Sequence, residues 1–100
     1  MKSPVDTTII SEIWTVIQER AEAPSHESYT SRLLMDPKGI DKVLEKVGEE
    51  STEFIIAAKN GVKERTVEEA SDLVFHLLVA VRAAGIDLSE VMRELERRRK

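Results

Sequence analysis

The sequence contains no cysteine, so it can form neither a disulfide framework nor a zinc site with thiolate ligands. It has no apolar run long enough to span a bilayer, and its first residues, MKSPVDTTII, lack the apolar core of a signal peptide. Positive charge is also scarce: the formal net charge is −4, and ERRRK is the single basic run. Nucleic-acid-binding proteins normally carry a basic face. We therefore expect a cytoplasmic protein that has neither a membrane nor a nucleic acid as its partner.

Alternating strand patterns and long linkers are missing too, whereas helical periodicity is strong. The 100 residues suffice for one small domain, residues 1–100, which buries roughly 65% of the surface of the unfolded chain. We predict an all-α antiparallel bundle of about four helices. Cap and stop residues place the first helix over residues 7–23 and the second over 37–60. They place the start of the third helix between residues 63 and 66 and its end at 84, and the fourth runs from 88 onward. A polar connection and a short segment around Leu33 separate the first two.

The third predicted helix is apolar nearly all round. Its expected core stripe consists of Val67, Ala70, Val74, Leu77, Leu78 and Val81. Phe75, Val79 and Ala83 lie on the other side of the same helix. A helix that is apolar nearly all round is normally buried nearly all round, and a four-helix domain has few fully interior positions. A second copy of the chain would cover the remaining side, so we expect a homodimer that uses Phe75 and Val79.

Acidic residues are concentrated on the second and third helices. They are Glu49, Glu50 and Glu53 on the second, followed by Glu69 and Asp72 on the third. Residues three or four apart on a helix project side by side, so two acidic stripes face each other if the helices pack antiparallel. Four or five carboxylates would then surround one point. An oxygen-rich cage with no thiolate suits Mg²⁺ or Mn²⁺, and Mg²⁺ typically bridges carboxylates to substrate phosphates.

Each of these residues also has a purely structural interpretation. The acidic stripe can be a solvated surface, and Glu69 can complete a capping box with Thr66. His76, one turn beyond Asp72, can be a hydrogen-bonded core or interface residue rather than a ligand. Lys46 can form salt bridges along its own helix or contact phosphate. A di-iron site is excluded because no Glu or Asp has a histidine three positions later.

Four segments resemble, in order and spacing, the phosphoribosyl-ATP pyrophosphohydrolase family of histidine biosynthesis, a branch of the MazG-like all-α NTP pyrophosphatases. They are SYTSRLL, KVGEESTE, EEASDLVFHLLV and GIDLSEVMRELERR. The Glu-Glu-x-x-Glu and Glu-x-x-Asp motifs are common to the superfamily, whereas SYT, KVGEE and ASDL…HLL indicate this branch. The resemblance implies hydrolysis of 1-(5-phosphoribosyl)-ATP to 1-(5-phosphoribosyl)-AMP and pyrophosphate by a stand-alone, magnesium-dependent enzyme.

The resemblance also implies roles for individual residues. Those expected to bind the metal are Glu50, Glu53, Glu69 and Asp72. Glu49 is expected to be a ligand or the base that orients water, so that the catalytic set is Glu49, Glu50 and Glu53. Residues expected to meet substrate phosphates or ribose are Tyr29, Thr30, Arg32 and Lys46. Three other functions stay open from the residues alone: a housecleaning nucleotide pyrophosphatase, a non-catalytic helical dimerisation module and a metal-storage protein.

Overall fold

The computed structural model describes residues 5–99, and every regular element within them is a helix. The helices are α1 (Thr8–Glu22), α2 (Tyr29–Leu34), α3 (Ile40–Asn60), α4 (Lys63–Ala83) and α5 (Leu88–Arg97). The all-α prediction is confirmed. Residues 1–4 and 100 of the predicted domain lie outside the described residues. In the described part of the chain, no helix is both long and apolar enough to cross a membrane.

The short segment around Leu33 is itself a helix, α2, which raises the number of helices in residues 5–99 to five. Ser28 caps it: the Ser28 Oγ accepts a hydrogen bond from the backbone N–H of Ser31 at 3.2 Å. The Ser31 hydroxyl is fully buried and donates to the carbonyl oxygen of Arg20 on α1 at 2.9 Å. This bond ties α2 to the end of α1. Six residues are too few to show helical periodicity, so the sequence did not predict the element.

Helix α3 begins at Ile40 rather than at the predicted Pro37. The Asp36 carboxylate accepts a hydrogen bond from the backbone N–H of Lys38 at 2.9 Å, which stabilises a local turn instead of a helix start. Gly39 then takes a positive φ of 64°, a conformation that other L-residues rarely adopt. The residues predicted to form the first turn of the helix thus form a separate loop, and α3 begins only after Gly39.

The remaining helix ends agree with the sequence. Gly61 ends α3 in the left-handed conformation, with φ 70°. Helix α4 starts at Lys63, inside the predicted window, and Gly85 follows its end with φ 77°. Asp87 and Glu90 form the predicted capping box at the start of α5.

Helices α3 and α4 form an antiparallel hairpin, which is the most extensive helix–helix contact of the chain. Helix α1 packs on α4, α2 contacts both helices of the hairpin, and α5 packs on α4. The core residues that these contacts bury are Ile17, Leu33, Val43, Leu78, Val79, Ala80 and Leu88. The hairpin thus has one side covered by α1 and α2, and this is the side near the acidic residues.

The side of α4 that the protomer buries differs largely from the predicted one, although Leu78 is a core residue as expected. Val79 is fully buried within the protomer, and Phe75 packs against the core. Val67, Val74 and Leu77, which were predicted to be core residues, are 57%, 42% and 51% exposed. The prediction of a dimer interface through Phe75 and Val79 is therefore wrong, because α1 and α2 already cover that side. The uncovered apolar stripe lies on the other side of α4.

Candidate metal and substrate site

Three of the predicted metal ligands meet between α3 and α4. Glu50, Glu69 and Asp72 bring carboxylate oxygens within 4.8 Å of one another. The hairpin explains this meeting: Glu50 precedes Gly61 by as many residues as Asp72 follows it, and the same holds for Glu53 and Glu69. In an antiparallel pair, positions equally far from the turn lie opposite each other. We call Glu50, Glu69 and Asp72 the acidic triad.

Two oxygens of the acidic triad are buried without a partner. Glu50 and Glu69 are only 7% and 4% exposed. Among the described residues, four buried side-chain polar atoms lack a hydrogen bond, and Glu50 Oε2 and Glu69 Oε2 are two of them. A buried oxygen that has lost its hydrogen bonds to water and gained none from the protein is unfavourable. A hard cation bound by these oxygens would remove that cost, and an all-oxygen donor set is what Mg²⁺ and Mn²⁺ require.

The other oxygen of each buried carboxylate faces a cation of the protein. Glu69 Oε1 accepts a hydrogen bond from Arg65 Nη2 at 2.6 Å, and Glu50 Oε1 lies 3.6 Å from Lys46 Nζ. The Glu69 capping box does not form, because Thr66 lies inside α4 and donates its hydroxyl to the Val62 carbonyl oxygen at 2.8 Å. In each glutamate of the acidic triad, one carboxylate oxygen is thus held by a cationic side chain, and the second oxygen is available to a ligand.

Glu53 and Glu49 border the triad and are both exposed. Burial raises the pKa of Glu69, and the neighbouring carboxylate of Glu53 raises that pKa further. Arg65 opposes this increase and Asp72 adds to it. Glu49 Oε2 lies 3.5 Å from Lys46 Nζ. The structure therefore places Glu53 next to Glu69 and keeps Glu49 at the solvent side.

Lys46 joins the triad to the predicted substrate residues. Its ammonium group forms the salt bridges to Glu49 and Glu50, as one interpretation of the sequence proposed. Burial alone lowers the pKa of Lys46, but Tyr29, Glu49 and Glu50 raise it overall, so the group stays charged. The Lys46 side chain is only partly exposed, and its two ion pairs keep the ammonium group beside the acidic triad.

A cleft of about 220 Å³ opens beside the triad, between α2 and the start of α3. Its lining residues are Tyr29, Arg32, Leu33, Asp36, Lys42 and Lys46. Three of the four predicted substrate residues thus share one cleft. Thr30, the fourth, is buried within the protomer. Arg32 Nη1 already donates to the carbonyl oxygen of His26 at 2.7 Å, which holds the guanidinium at the rim of the cleft.

His76 is a hydrogen-bonded, buried residue, as its structural interpretation proposed. Its Nδ1 lies 2.7 Å from the carbonyl oxygen of Asp72, and its Nε2 lies 2.8 Å from the hydroxyl oxygen of Tyr29. Burial raises the pKa of Tyr29, and Lys46 partly opposes that increase. Sequence reasoning missed the Tyr29–His76 pair because it joins a short helix to a residue far along the chain.

The all-α fold with an acidic cluster between two antiparallel helices agrees with the predicted MazG-like class of pyrophosphatases. The model of the phosphoribosyl-ATP pyrophosphohydrolase family matches residues 10–99. Proteins named phosphoribosyl-ATP pyrophosphatase from Methanoregula boonei, Methanoculleus marisnigri and Methanosphaerula palustris are 73%, 63% and 57% identical to this chain. The alignments cover 99%, 95% and 95% of the chain and 95%, 98% and 96% of the relatives. The chain belongs to the phosphoribosyl-ATP pyrophosphohydrolase family, as its motifs predicted.

Proposed function

We propose that this protein hydrolyses 1-(5-phosphoribosyl)-ATP to 1-(5-phosphoribosyl)-AMP and pyrophosphate, a step of histidine biosynthesis in the cytoplasm. Membership of the family and the names of its relatives support the reaction. The structural observation that carries the proposal is the pair of unpartnered carboxylate oxygens on Glu50 and Glu69. A solvated acidic surface or a dimerisation module would have no need to bury such groups.

Glu50, Glu69 and Asp72 would hold the metal, with Glu53 as the fourth predicted ligand beside Glu69. Mg²⁺ is the cation that we propose, with Mn²⁺ as an alternative of the same ligand preference. When bound, this cation neutralises charge on the phosphoryl oxygens. Glu49 is exposed and partnered only by Lys46, so it is the carboxylate best placed to orient and deprotonate the attacking water.

The cations of the cleft supply charge for the substrate phosphates. Arg32, Lys42 and Lys46 line the cleft beside the acidic triad. Phosphoribosyl-ATP carries one more phosphate group than ATP, on its additional ribose. A protein of net charge −4 needs local positive charge to bind such a polyanion. We assign the ribose 5-phosphate arm to this cleft, and the triphosphate to the adjoining triad.

We further propose that the protein is a homodimer that buries the uncovered side of the α3–α4 hairpin. On α4 this side carries Val67, Val74 and Leu77, which are 57%, 42% and 51% exposed. On α3 the exposed apolar residues Ile40, Leu44 and Ile55 follow one helical stripe. Fully burying a large apolar side chain contributes about 1.5–3 kcal/mol. A second hairpin packed against this surface would complete a four-helix core.

Product analysis tests the proposed reaction most directly. The purified protein is incubated with phosphoribosyl-ATP, and separately with ATP and the deoxynucleoside triphosphates, in Mg²⁺ and in chelator. We expect pyrophosphate from phosphoribosyl-ATP, only in the presence of the cation. Efficient hydrolysis of deoxynucleoside triphosphates with phosphoribosyl-ATP left intact would instead assign a housecleaning function. No release of pyrophosphate from any nucleotide would favour a non-catalytic role.

A further inference from the structure

The ring of His76 connects the backbone of a triad residue to the cleft. Its Nδ1 faces the carbonyl oxygen of Asp72 at 2.7 Å, and a carbonyl oxygen can only accept. When the ring is neutral, Nδ1 therefore carries its hydrogen and Nε2 presents a lone pair. The hydroxyl of Tyr29, 2.8 Å from Nε2, must then donate its hydrogen to His76. The hydroxyl oxygen of Tyr29 can then only accept further hydrogen bonds.

Aromatic packing fixes this arrangement. The rings of Tyr29 and His76 meet edge to face with centroids 5.8 Å apart. Phe75 packs against both, with its centroid 5.1 Å from that of His76 and 6.3 Å from that of Tyr29. His76 is only 6% exposed, so solvent does not compete for either of its ring nitrogens. The Tyr29 hydroxyl is therefore oriented before any substrate enters.

An oxygen that only accepts hydrogen bonds selects among the groups of a sugar phosphate. Phosphate oxygens are acceptors, so they gain nothing from a tyrosine hydroxyl whose hydrogen is already used. A sugar hydroxyl can donate to it. The cleft that Tyr29 lines also contains Arg32, Lys42 and Lys46, which are suited to phosphate. One cleft thus offers cations for a phosphate and an acceptor for a sugar hydroxyl.

We propose that His76 is a positioning residue that holds Tyr29 as a hydrogen-bond acceptor for a ribose hydroxyl of the ribose 5-phosphate arm. This inference rests on the proposed substrate and assigns the recognition of its sugar to a particular atom. His76 contacts Asp72 through the backbone carbonyl oxygen of that residue, and it is not one of the residues that line the cleft. Its contribution passes through Tyr29, and a purely structural histidine would have no effect on sugar binding.

The first test needs no turnover. Tyr29 is the only tyrosine of the chain and His76 is one of two histidines, so both rings can be assigned in NMR spectra of the labelled protein. We expect the imidazole ¹⁵N spectrum to show His76 protonated at Nδ1. We also expect the Tyr29 ¹³Cζ resonance to move when His76→Phe removes the acceptor. Protonation of His76 at Nε2 in the resting protein would overturn the inference.

The second test measures binding of ribose 5-phosphate and of inorganic phosphate, in buffer containing Mg²⁺. Losing one neutral hydrogen bond should weaken binding of ribose 5-phosphate to Tyr29→Phe by roughly 3- to 10-fold. Binding of inorganic phosphate should stay within about twofold, because Tyr29 has no hydrogen to offer a phosphate. His76→Phe should show the same selective loss, and the double variant should bind no more weakly than Tyr29→Phe alone.

Equal weakening of both ligands would mean that Tyr29 serves the phosphate, and would overturn the inference. No weakening, or no binding of ribose 5-phosphate to the wild type, would overturn it as well. His76→Gln keeps a side-chain acceptor and should retain more sugar binding than His76→Phe. If His76→Phe does not fold, the binding measurements on Tyr29→Phe and His76→Gln test the inference without it. Product analysis of the wild type with phosphoribosyl-ATP separately reports whether the proposed function itself fails.

Discussion

Replacing Glu50 with glutamine should change stability in opposite directions with and without a divalent cation. Carboxylate oxygens of Glu50 and Asp72 lie within 4.8 Å of each other. Two unit charges at that separation repel by about 3 kcal/mol at an effective dielectric constant of about 20. Solvent screens the exposed Asp72 and reduces this value. The variant also loses the 3.6 Å ion pair with Lys46, but it no longer has to bury a charged carboxylate. We expect a net gain of about 1–2 kcal/mol without metal.

Thermal unfolding in chelator and in Mg²⁺ measures this reversal. A change of 1 kcal/mol shifts the Tm of a domain of this size by about 4–8 °C. Glu50→Gln should therefore melt several degrees above the wild type in chelator. In saturating Mg²⁺ the order should invert, because a ligand at 100 times its Kd stabilises the native state by about 2.7 kcal/mol and the variant loses much of that binding. Protein concentration is held constant, since a dimer melts at a concentration-dependent temperature.

The matched control is Glu68→Gln, which removes the same charge from an exposed residue outside the triad. Glu68 pairs with Arg65 at 2.9 Å and is 61% exposed at its side chain. The Tm of the Glu68→Gln variant should stay near that of the wild type in both buffers, and Mg²⁺ should stabilise the variant as much as it stabilises the wild type. A Glu50→Gln variant that is less stable than the wild type in chelator would refute the electrostatic reasoning. A wild-type Tm indifferent to Mg²⁺ and Mn²⁺ would refute the metal site.

Three further predictions concern turnover, assembly and specificity. Glu53→Gln or Asp72→Asn should abolish turnover and preserve the far-ultraviolet circular dichroism spectrum, and wild-type activity in either variant would contradict its assignment as a ligand. Leu77→Glu should convert the dimer to a monomer at micromolar concentration, because the variant places two charges in an apolar interface. Sedimentation velocity measures this change. A variant that stays dimeric would show that the interface lies on another surface. Arg32→Gln or Lys46→Gln should lower kcat/KM for phosphoribosyl-ATP by roughly 10- to 100-fold and change ATP hydrolysis less, since a charge-assisted bond to the additional phosphate is lost. Equal decreases in kcat/KM for phosphoribosyl-ATP and for ATP would contradict the assignment of Arg32 and Lys46 to the additional phosphate.

The parts of the structure that depend on local chemistry could be predicted from the sequence. Gly61 ends α3, and helical spacing on each side of it brings the acidic residues to the facing sides of the hairpin. The capping box of Asp87 and Glu90 is likewise a local pattern with a fixed spacing. In both cases a few neighbouring residues determine the geometry. No contact between distant parts of the chain had to be known.

The parts that depend on where α1 and α2 pack could not be predicted in this way. Periodicity shows that α4 has two apolar sides, but it does not show which side the protomer covers. The core contacts of Ile17 on α1 and Leu33 on α2 decide this, and they bury Val79. The Tyr29–His76 bond depends on the same packing, because α2 must first reach α4. Sequence reasoning therefore predicted the acidic residues that meet between α3 and α4, and it missed the contact between Tyr29 and His76.

The two sides of α4 account together for its unusual composition. One side carries Glu69 of the triad and His76, which contacts Tyr29, and both residues are buried within the protomer. The other side carries Val74 and Leu77, which only another molecule can cover. Between Leu73 and Ala83 the exposed residues are Val74 and Leu77 alone, whereas the first part of α4 also has solvated residues such as Lys63, Glu64 and Glu68. The sequence argument that α4 is buried nearly all round stays a prediction, because it depends on the proposed dimer covering Val74 and Leu77.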